Sequence, residues 1–390
     1  MRTLVLLCLI LSATGTALAG ASHLVVTVVN PAPFERPQET IVLAWKEVVT
    51  ALPALAPAGV SVFDGEGVIP SQLVDADADG VPEELLFQST FAPAQRKQFT
   101  VRPAVEPKVF PPLVDAQFVL PRQDMAWEND RIAFRIYGSP LAGDVRNGID
   151  VWTKRVRALI VQKWYKESEG AQPGKDTYHV DRGEGADFFS VGKSLGAGGC
   201  GIWRNDTLYQ PGIFSSHRVL SKGPIRVQFR VVYDNGFAGG LPFHAEQTVT
   251  LDAGQNLNRI EIVYSGQGAS DTLSVAAGLV KRKNVTSTAR SDRGWIAFWG
   301  PVNDDSTNGF LGTGIVMPAS VGRAVVEDAQ QHMVLGSSRA HERLTYYAGA
   351  AWTRSGDVAV AADWHAMLDR CANGLRQPLK VTMKASGKKP

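Results

Sequence analysis

The segment F-H-A-E-Q-T-V-T-L-D-A-G-Q-N-L-N-R-I-E-I-V-Y (243–264) decides the fold. His244 to Leu251 and Leu257 to Tyr264 each alternate apolar and polar residues, the period-two pattern of strands with one buried face. The residues between them, Asp252-Ala253-Gly254-Gln255-Asn256, are turn formers. Two alternating strands joined so tightly must run antiparallel, because a parallel pair needs a crossover of a dozen or more residues. The same reading extends outward. I-R-V-Q-F-R-V-V-Y (225–233) alternates ahead of the hairpin. T-L-S-V-A-A-G-L (272–279), W-I-A-F-W (295–299), G-T-G-I-V-M (312–317), M-V-L-G (333–336) and H-E-R-L-T-Y-Y-A-G-A-A-W (341–352) follow it. Many short strands in sequence predict a large antiparallel sandwich rather than a parallel α/β sheet.

That domain is expected to span residues 122–390. It opens on M-A-W-E-N-D-R-I-A-F-R-I-Y-G (125–138), where Ile132, Phe134 and Ile136 alternate with Ala133, Arg135 and Tyr137, so one face is apolar and the other presents Arg131, Arg135 and Tyr137. Val156, Leu159, Ile160 and Trp164 share one helical face, which predicts a helix over 151–166 that leads through a turn at 170–174. A second helix is expected over 358–374, and 379–383 closes the chain as a strand. Ahead of the sandwich, alternating runs at 24–30, 41–45, 59–63, 68–74, 84–88 and 97–101 predict a small β-domain over 20–105. Five prolines between Arg102 and Pro121 make residues 106–121 an extended linker. At the N-terminus, Arg2, the apolar run Leu4–Leu11 and Ala17-Leu18-Ala19 have the layout of a signal peptide cleaved after Ala19. Secretion or periplasmic residence is therefore expected.

Composition narrows the chemistry. A net charge of +2 over 390 residues gives no field for nucleic acid, and no segment after the leader approaches the ~20 apolar residues of a membrane span. There is no GxGxxG opening a helix after a strand, no GxxxxGK[ST], no HExxH and no GxSxG, and the seven histidines and three cysteines never fall in zinc spacing. Dinucleotide, phosphoryl-transfer, serine-hydrolase and zinc chemistry are all disfavoured, and no cofactor is required. Asp75, Asp77 and Asp79 in D-A-D-A-D-G repeat the first ligand spacings of a calcium loop, but its twelfth position is Leu86 in place of glutamate; Ca2+ is the one ion the sequence suggests.

The richest polar stretch is Y-H-V-D-R-G-E-G-A-D-F-F-S-V-G-K-S-L-G-A-G-G-C-G (178–201). It sets Tyr178, His179, Asp181, Glu184, Asp187 and Lys193 among seven glycines. Such a loop on a rigid scaffold is where binding groups concentrate.

The 243–264 hairpin resembles one in the galactose-mutarotase-like β-supersandwich, a fold shared by aldose epimerases and by domains of polysaccharide lyases and glycoside hydrolases. W-E-N-D-R-I-A-F-R-I-Y-G (127–138), the stretch 178–199 and Y-Y-A-G-A-A-W-T-R-S-G-D (346–357) resemble, in the same order, the family called domain of unknown function 4861. Its members commonly accompany pectin- and uronate-degrading enzymes. The resemblance implies an oligo- or polysaccharide as partner.

Elimination at a uronosyl unit needs a cation for the carboxylate, a base for the C5 proton and an acid for the leaving oxygen. Arg131 and Arg135 are the expected clamp, and His179 and Tyr178 the base and acid. His244 is an alternative base; His341 and Tyr347 are weaker ones. Hydrolysis would instead draw a carboxylate pair from Glu128, Asp130, Asp181, Glu184, Asp187 and Glu246. Trp127, Trp203, Tyr347 and Trp352 are candidate stacking platforms, and Glu128, Asp181, Glu184, Lys193 and His244 candidate sugar contacts. A non-catalytic sugar-binding protein is the reading from another class.

Overall fold

The computed structural model describes residues 21–104, 106, 108–169, 178–269, 272–321 and 324–387; the expected leader and the turn at 170–174 lie outside them. The protein is mainly β. The hairpin is present as read: Leu241–Asp252 pairs antiparallel with Leu257–Ser265, with Thr248 opposite Glu261. It lies within an eight-stranded sheet ordered Ser216–Ser221, Arg226–Ala238, Leu241–Asp252, Leu257–Ser265, Arg343–Trp352, Asp305–Val316, Trp295–Asn303, Thr286–Arg290. Its inner face carries Val227, Phe229, Val231, Val249, Ile260, Ile262 and Tyr346, all buried. Two five-stranded sheets face it across this core. One is the meander Val114–Val119, Asp124–Asn129, Ile132–Ile136, Asp150–Lys154, Gly185–Ala186. The other contains Ala197–Arg204, Thr272–Val280 and Gln331–Arg339. This is the antiparallel β-supersandwich anticipated from the hairpin.

The outer faces are covered too. Helix α1 (Trp45–Ala51) lies in the N-terminal unit, α2 (Val161–Glu169) covers the meander, and α3 (Ala361–Arg376) covers the eight-stranded sheet. Trp364 and Leu368 of α3 sit directly on Gly312 and Gly314. A Cβ at Gly312 would lie 2.5 Å from the Trp364 ring, so the helix docks only because the strand has no side chain there.

Three expectations change. Residues 151–166 are not one helix. Asp150–Lys154 is a strand buried on both faces, and α2 starts only at Val161, because Val151 fills the sandwich core while Trp152 packs under the helix. The proline-rich linker is shorter than 106–121, since Val114–Val119 pairs with Asp124–Asn129. The small N-terminal unit is closed by the other end of the chain: Lys380–Ser386 pairs with His23–Val29 in register Val26 to Met383. Its two sheets enclose Val26, Ile41, Phe87, Phe91, Phe99 and Val101.

This unit is bolted to the large sheet by polar side chains. Buried Arg226 meets Asp252 through Nε and Nη2 at 2.7 and 2.9 Å, and Glu84 of the small unit at 3.0 Å. Gln72 reaches across to Ser221 Oγ and the Arg226 carbonyl, each at 2.8 Å. Replacing Trp364 with alanine empties the contact beneath α3. A loss of about 3–5 kcal/mol is expected in urea unfolding, with the secondary structure retained in circular dichroism.

Candidate functional site

Arg135 faces away from the sandwich core, as its alternation requires, but that face is not open. Helix α2 and the loop after Tyr178 close over it, leaving Arg135 3% exposed. Its Nε donates to Asp150 Oδ2 at 3.0 Å, its Nη2 to Asp187 Oδ2 at 2.9 Å, and its Nη1 lies 3.7 Å from Asp124 Oδ2. The Tyr137 and Trp152 rings flank the guanidinium at 4.3 and 5.0 Å. Asp150 Oδ2 also accepts from the Tyr137 hydroxyl at 2.9 Å and Trp152 Nε1 at 3.3 Å; Asp124 accepts from the Tyr165 hydroxyl and the Gly138 N–H.

Three carboxylates around one guanidinium cannot all remain ionised in a buried space. Asp150 collects the most donors of the three. Burial, then repulsion from Asp150, pushes the Asp187 carboxyl well above the usual range, and burial raises Asp124 as well. Asp187 Oδ1 is buried with no hydrogen-bond partner among the described residues.

The loop presents its groups above this cluster. Tyr178 is 3% exposed and stacks on Trp152 at 4.9 Å; burial raises its phenol further. His179 is half-exposed. Its Nδ1 lies 2.8 Å from the Asp187 carbonyl and 3.6 Å from Asp187 Oδ2. A carbonyl only accepts, so Nδ1 carries the hydrogen of this contact. The Arg122 guanidinium lies 5.6 Å from the Tyr178 ring. It donates to Ser168 Oγ and has no carboxylate partner among the described residues.

The remaining sequence candidates divide sharply. Arg131 does not join Arg135; at the strand turn it binds Asp357, with Asp130 at 3.3 Å and Gln38 at 3.0 Å. Both arginines expected as a carboxylate clamp are therefore matched already by protein acids, and Tyr178 is too buried to protonate a leaving group. Glu128 is buried and accepts from Lys154 Nζ at 2.6 Å and from the Ile160 and Val161 N–H groups, fixing the start of α2. Asp181 accepts from the Gly183 and Gly185 N–H groups, Arg155 and Arg354. Burial acts to raise its carboxyl, but these donors win and hold it below its ordinary value. Glu184 binds Lys163 at 2.7 Å, which lowers it, and Lys193 is exposed.

Trp127 is fully buried between Phe134 and Phe229, its Nε1 on Asn258 Oδ1, and Trp352 is 1% exposed with Nε1 on the Asn308 carbonyl. Neither offers a face to a sugar. Trp203 is half-buried against Leu195, Ala276 and Met333. His244 is on the eight-stranded sheet, 2.7 Å from Asp234; Glu246 of the same strand lies 3.3 Å from Arg230. Asp130 accepts from the Gly254 N–H, and His341 is in an exposed turn. Tyr347 is half-buried on the outer face of that sheet, its phenol pushed up to about 12 by burial.

Asp75, Asp77 and Asp79 come together with Glu83, which the sequence reading missed; one oxygen of each lies within 4.8 Å of the others. That is a set calcium accepts. The same carboxylates also accept the Ala76, Ala78, Asp79, Gly80 and Val81 N–H groups, so they organise the turn themselves. Asp124, Asp150, Tyr165 and Arg122 were likewise missed; nothing local marks them, because their partners come from distant segments.

The chain matches the family described as Domain of unknown function (DUF4861) over residues 28–381. It belongs to that family. A curated relative from Formosa agariphila, "Uncharacterized protein P7", is 30% identical over 98% of this chain and 100% of its own length. Among solved structures, similarity extends to an alpha-mannosidase from Enterococcus faecalis (TM-score 0.49, 11% identity, 95% of this chain, 47% of that one). It extends also to a protein in glycosyl hydrolase family 38 from the same organism (TM-score 0.50, 11% identity, 94% of this chain, 48% of that one). The chain spans about half the length of these two structures, and the second likeness is one of fold.

The Arg135 cluster fixes a pH dependence. A carboxyl raised on folding makes the native state bind more protons than the unfolded chain, so its stabilising effect is complete below the ordinary carboxylate range and is lost as pH rises through the native value. For Asp187 and Asp124 the melting temperature is expected to fall as pH rises above about 4. Asp187→Asn keeps the shape without the titration and is expected to flatten that slope in melts from pH 4 to 8; an unchanged slope would clear Asp187 of it.

Proposed function

We propose that the protein acts on uronate-containing, pectin-type saccharides by β-elimination, with His179 as the base. The observation that carries this reading is the fixed imidazole. A half-exposed ring is oriented by the Asp187 carbonyl, and Asp187 is itself locked to buried Arg135. A base must hold its lone pair toward the proton it removes, and with the hydrogen on Nδ1 the neutral ring has its lone pair on Nε2. The carboxylate of the sugar would be neutralised by Arg122, in place of the expected Arg131 and Arg135, because Arg122 makes no ion pair among the described residues.

In the elimination, His179 Nε2 takes the C5 proton, the C5–H electrons form the C4–C5 double bond, and the C4–O bond breaks. The imidazolium then returns the proton to the departing oxygen. One group serves both transfers, so Tyr178 is not needed as acid and instead supports the ring from below, 4.6 Å between centroids. The fold shared with a glycosyl hydrolase family 38 protein supports a carbohydrate as the ligand, and export through the leader at 1–19 would put the protein where such polysaccharides are met.

Incubation with galacturonate oligosaccharides is expected to give an unsaturated product absorbing in the ultraviolet. His179→Ala is expected to lower kcat by about 100-fold or more, the scale of a lost general base. Arg122→Ala is expected to act mainly on KM. New reducing ends without the absorbance would replace elimination by hydrolysis, and saccharide binding without turnover would make this a binding protein.

A further inference from the structure

A cleft of about 500 Å³ opens on the other side of the sandwich, where the small N-terminal unit, the outer face of the eight-stranded sheet and α3 meet. Its size suits a small ligand. The floor is a row of side chains set by strand register: Thr250 opposite Arg259, and Arg259 opposite Tyr347. The walls carry Arg36 and Glu39 from the small unit and Arg370 from the helix.

Four arginines line the cleft, and their states differ. Arg226 is saturated by Asp252 and Glu84. Arg36 is saturated by Asn30, Glu39 and the Gly374 and Gln377 carbonyls. Arg259 is only partly matched: its Nη2 lies 3.4 Å from Glu261 Oε2, whose other oxygen accepts from Arg343, and its Nε is buried with no hydrogen-bond partner among the described residues. Arg370 makes no hydrogen bond or ion pair among the described residues. The lining acids Asp252 and Glu39 are occupied by Arg226 and Arg36, which leaves exposed Glu35 as the one unmatched acid of the described lining.

The geometry points to a second ligand site in this cleft, one that binds the carboxylate of an acidic saccharide between Arg259 and Arg370 with a sugar ring against Tyr347. A guanidinium with unspent donors at a half-buried position is the protein's usual means of gripping a carboxylate. An aromatic ring beside it supplies an apolar surface for the sugar face. The ligand class rests on the reading of the previous subsection; the site is separate from His179 and would hold substrate or product without chemistry.

Calorimetric titration of a galacturonate trisaccharide into the full chain carrying His179→Ala, in which turnover is slowed about 100-fold or more, tests the site. The Arg259→Gln and Arg370→Gln changes, each added to that chain, are expected to weaken binding about tenfold or more, the scale of a lost charged hydrogen bond. Arg370→Lys, which keeps the charge, is expected to retain part of it, and a neutral galactose trisaccharide is expected to bind far more weakly. Melting curves of each variant separate a lost contact from a lost fold. Uronate affinity untouched by both glutamine changes, or equal affinity for the neutral sugar, would overturn the proposal. So would binding confined to sulfated saccharides. Because turnover is read separately by absorbance, an inactive His179 face with arginine-dependent binding would sink the elimination reading and leave the cleft standing.

Discussion

A guanidinium sealed under a helix and a loop is the constraint on which the half of the sandwich around Tyr178 and His179 rests. Removing a charge from water costs several kcal/mol, and the cost is offset only where geometry and hydrogen bonding are good. Arg135 meets that condition by drawing one acid from the strand beside it (Asp150), one from the strand before it (Asp124) and one from the loop (Asp187). The loop is thereby held to the sheet by an interaction that would be expensive to break from either side. The negative charge is met by hydroxyls from Tyr137 and Tyr165, whose own ionisation burial suppresses. The outcome is a rigid foundation under His179, made from groups that do not themselves reach solvent.

The other ties of the loop follow the same logic at lower cost. Asp181 collects Arg155 and Arg354, and Asp357 collects Arg131 and Arg157. The three sequence stretches that resemble the family thus meet in space through pairs of opposite charge. Several of these residues would be taken for sugar contacts when viewed one at a time. As pairs they are mainly struts.

The sheet architecture was legible because strand alternation is a local signal. The hairpin at 243–264, its neighbours and the final helix all fall where period two or 3.6 puts them. The misread segment, 151–166, shows where that signal fails. A strand buried on both faces has no polar alternation, so Trp152 and Val151 resemble the apolar face of a helix that begins ten residues later. Of the candidate site, the meeting of some side chains was legible and their roles were not. Tyr178, His179 and Arg135 do converge. Yet whether an arginine is free or spent depends on partners such as Asp124 and Asp150, which only the fold brings near. Burial of Trp127 and Trp352 was equally hidden, since a tryptophan on a strand reads the same whether its outer layer is water or protein.

The closing strand has a consequence for how the molecule is made. Lys380–Ser386 completes a sheet whose other strands lie between His23 and Pro103, so those strands wait for a segment on the far side of the sandwich in sequence. Until then Val26 and Val28 belong to a strand, His23–Val29, with one edge unpaired, and the wall that α3 and residues 378–381 give to the cleft is missing. The small unit is therefore a clasp that closes only when residues 380–386 are in place. A piece ending before Pro378 would lack both that strand and part of the wall of the cleft.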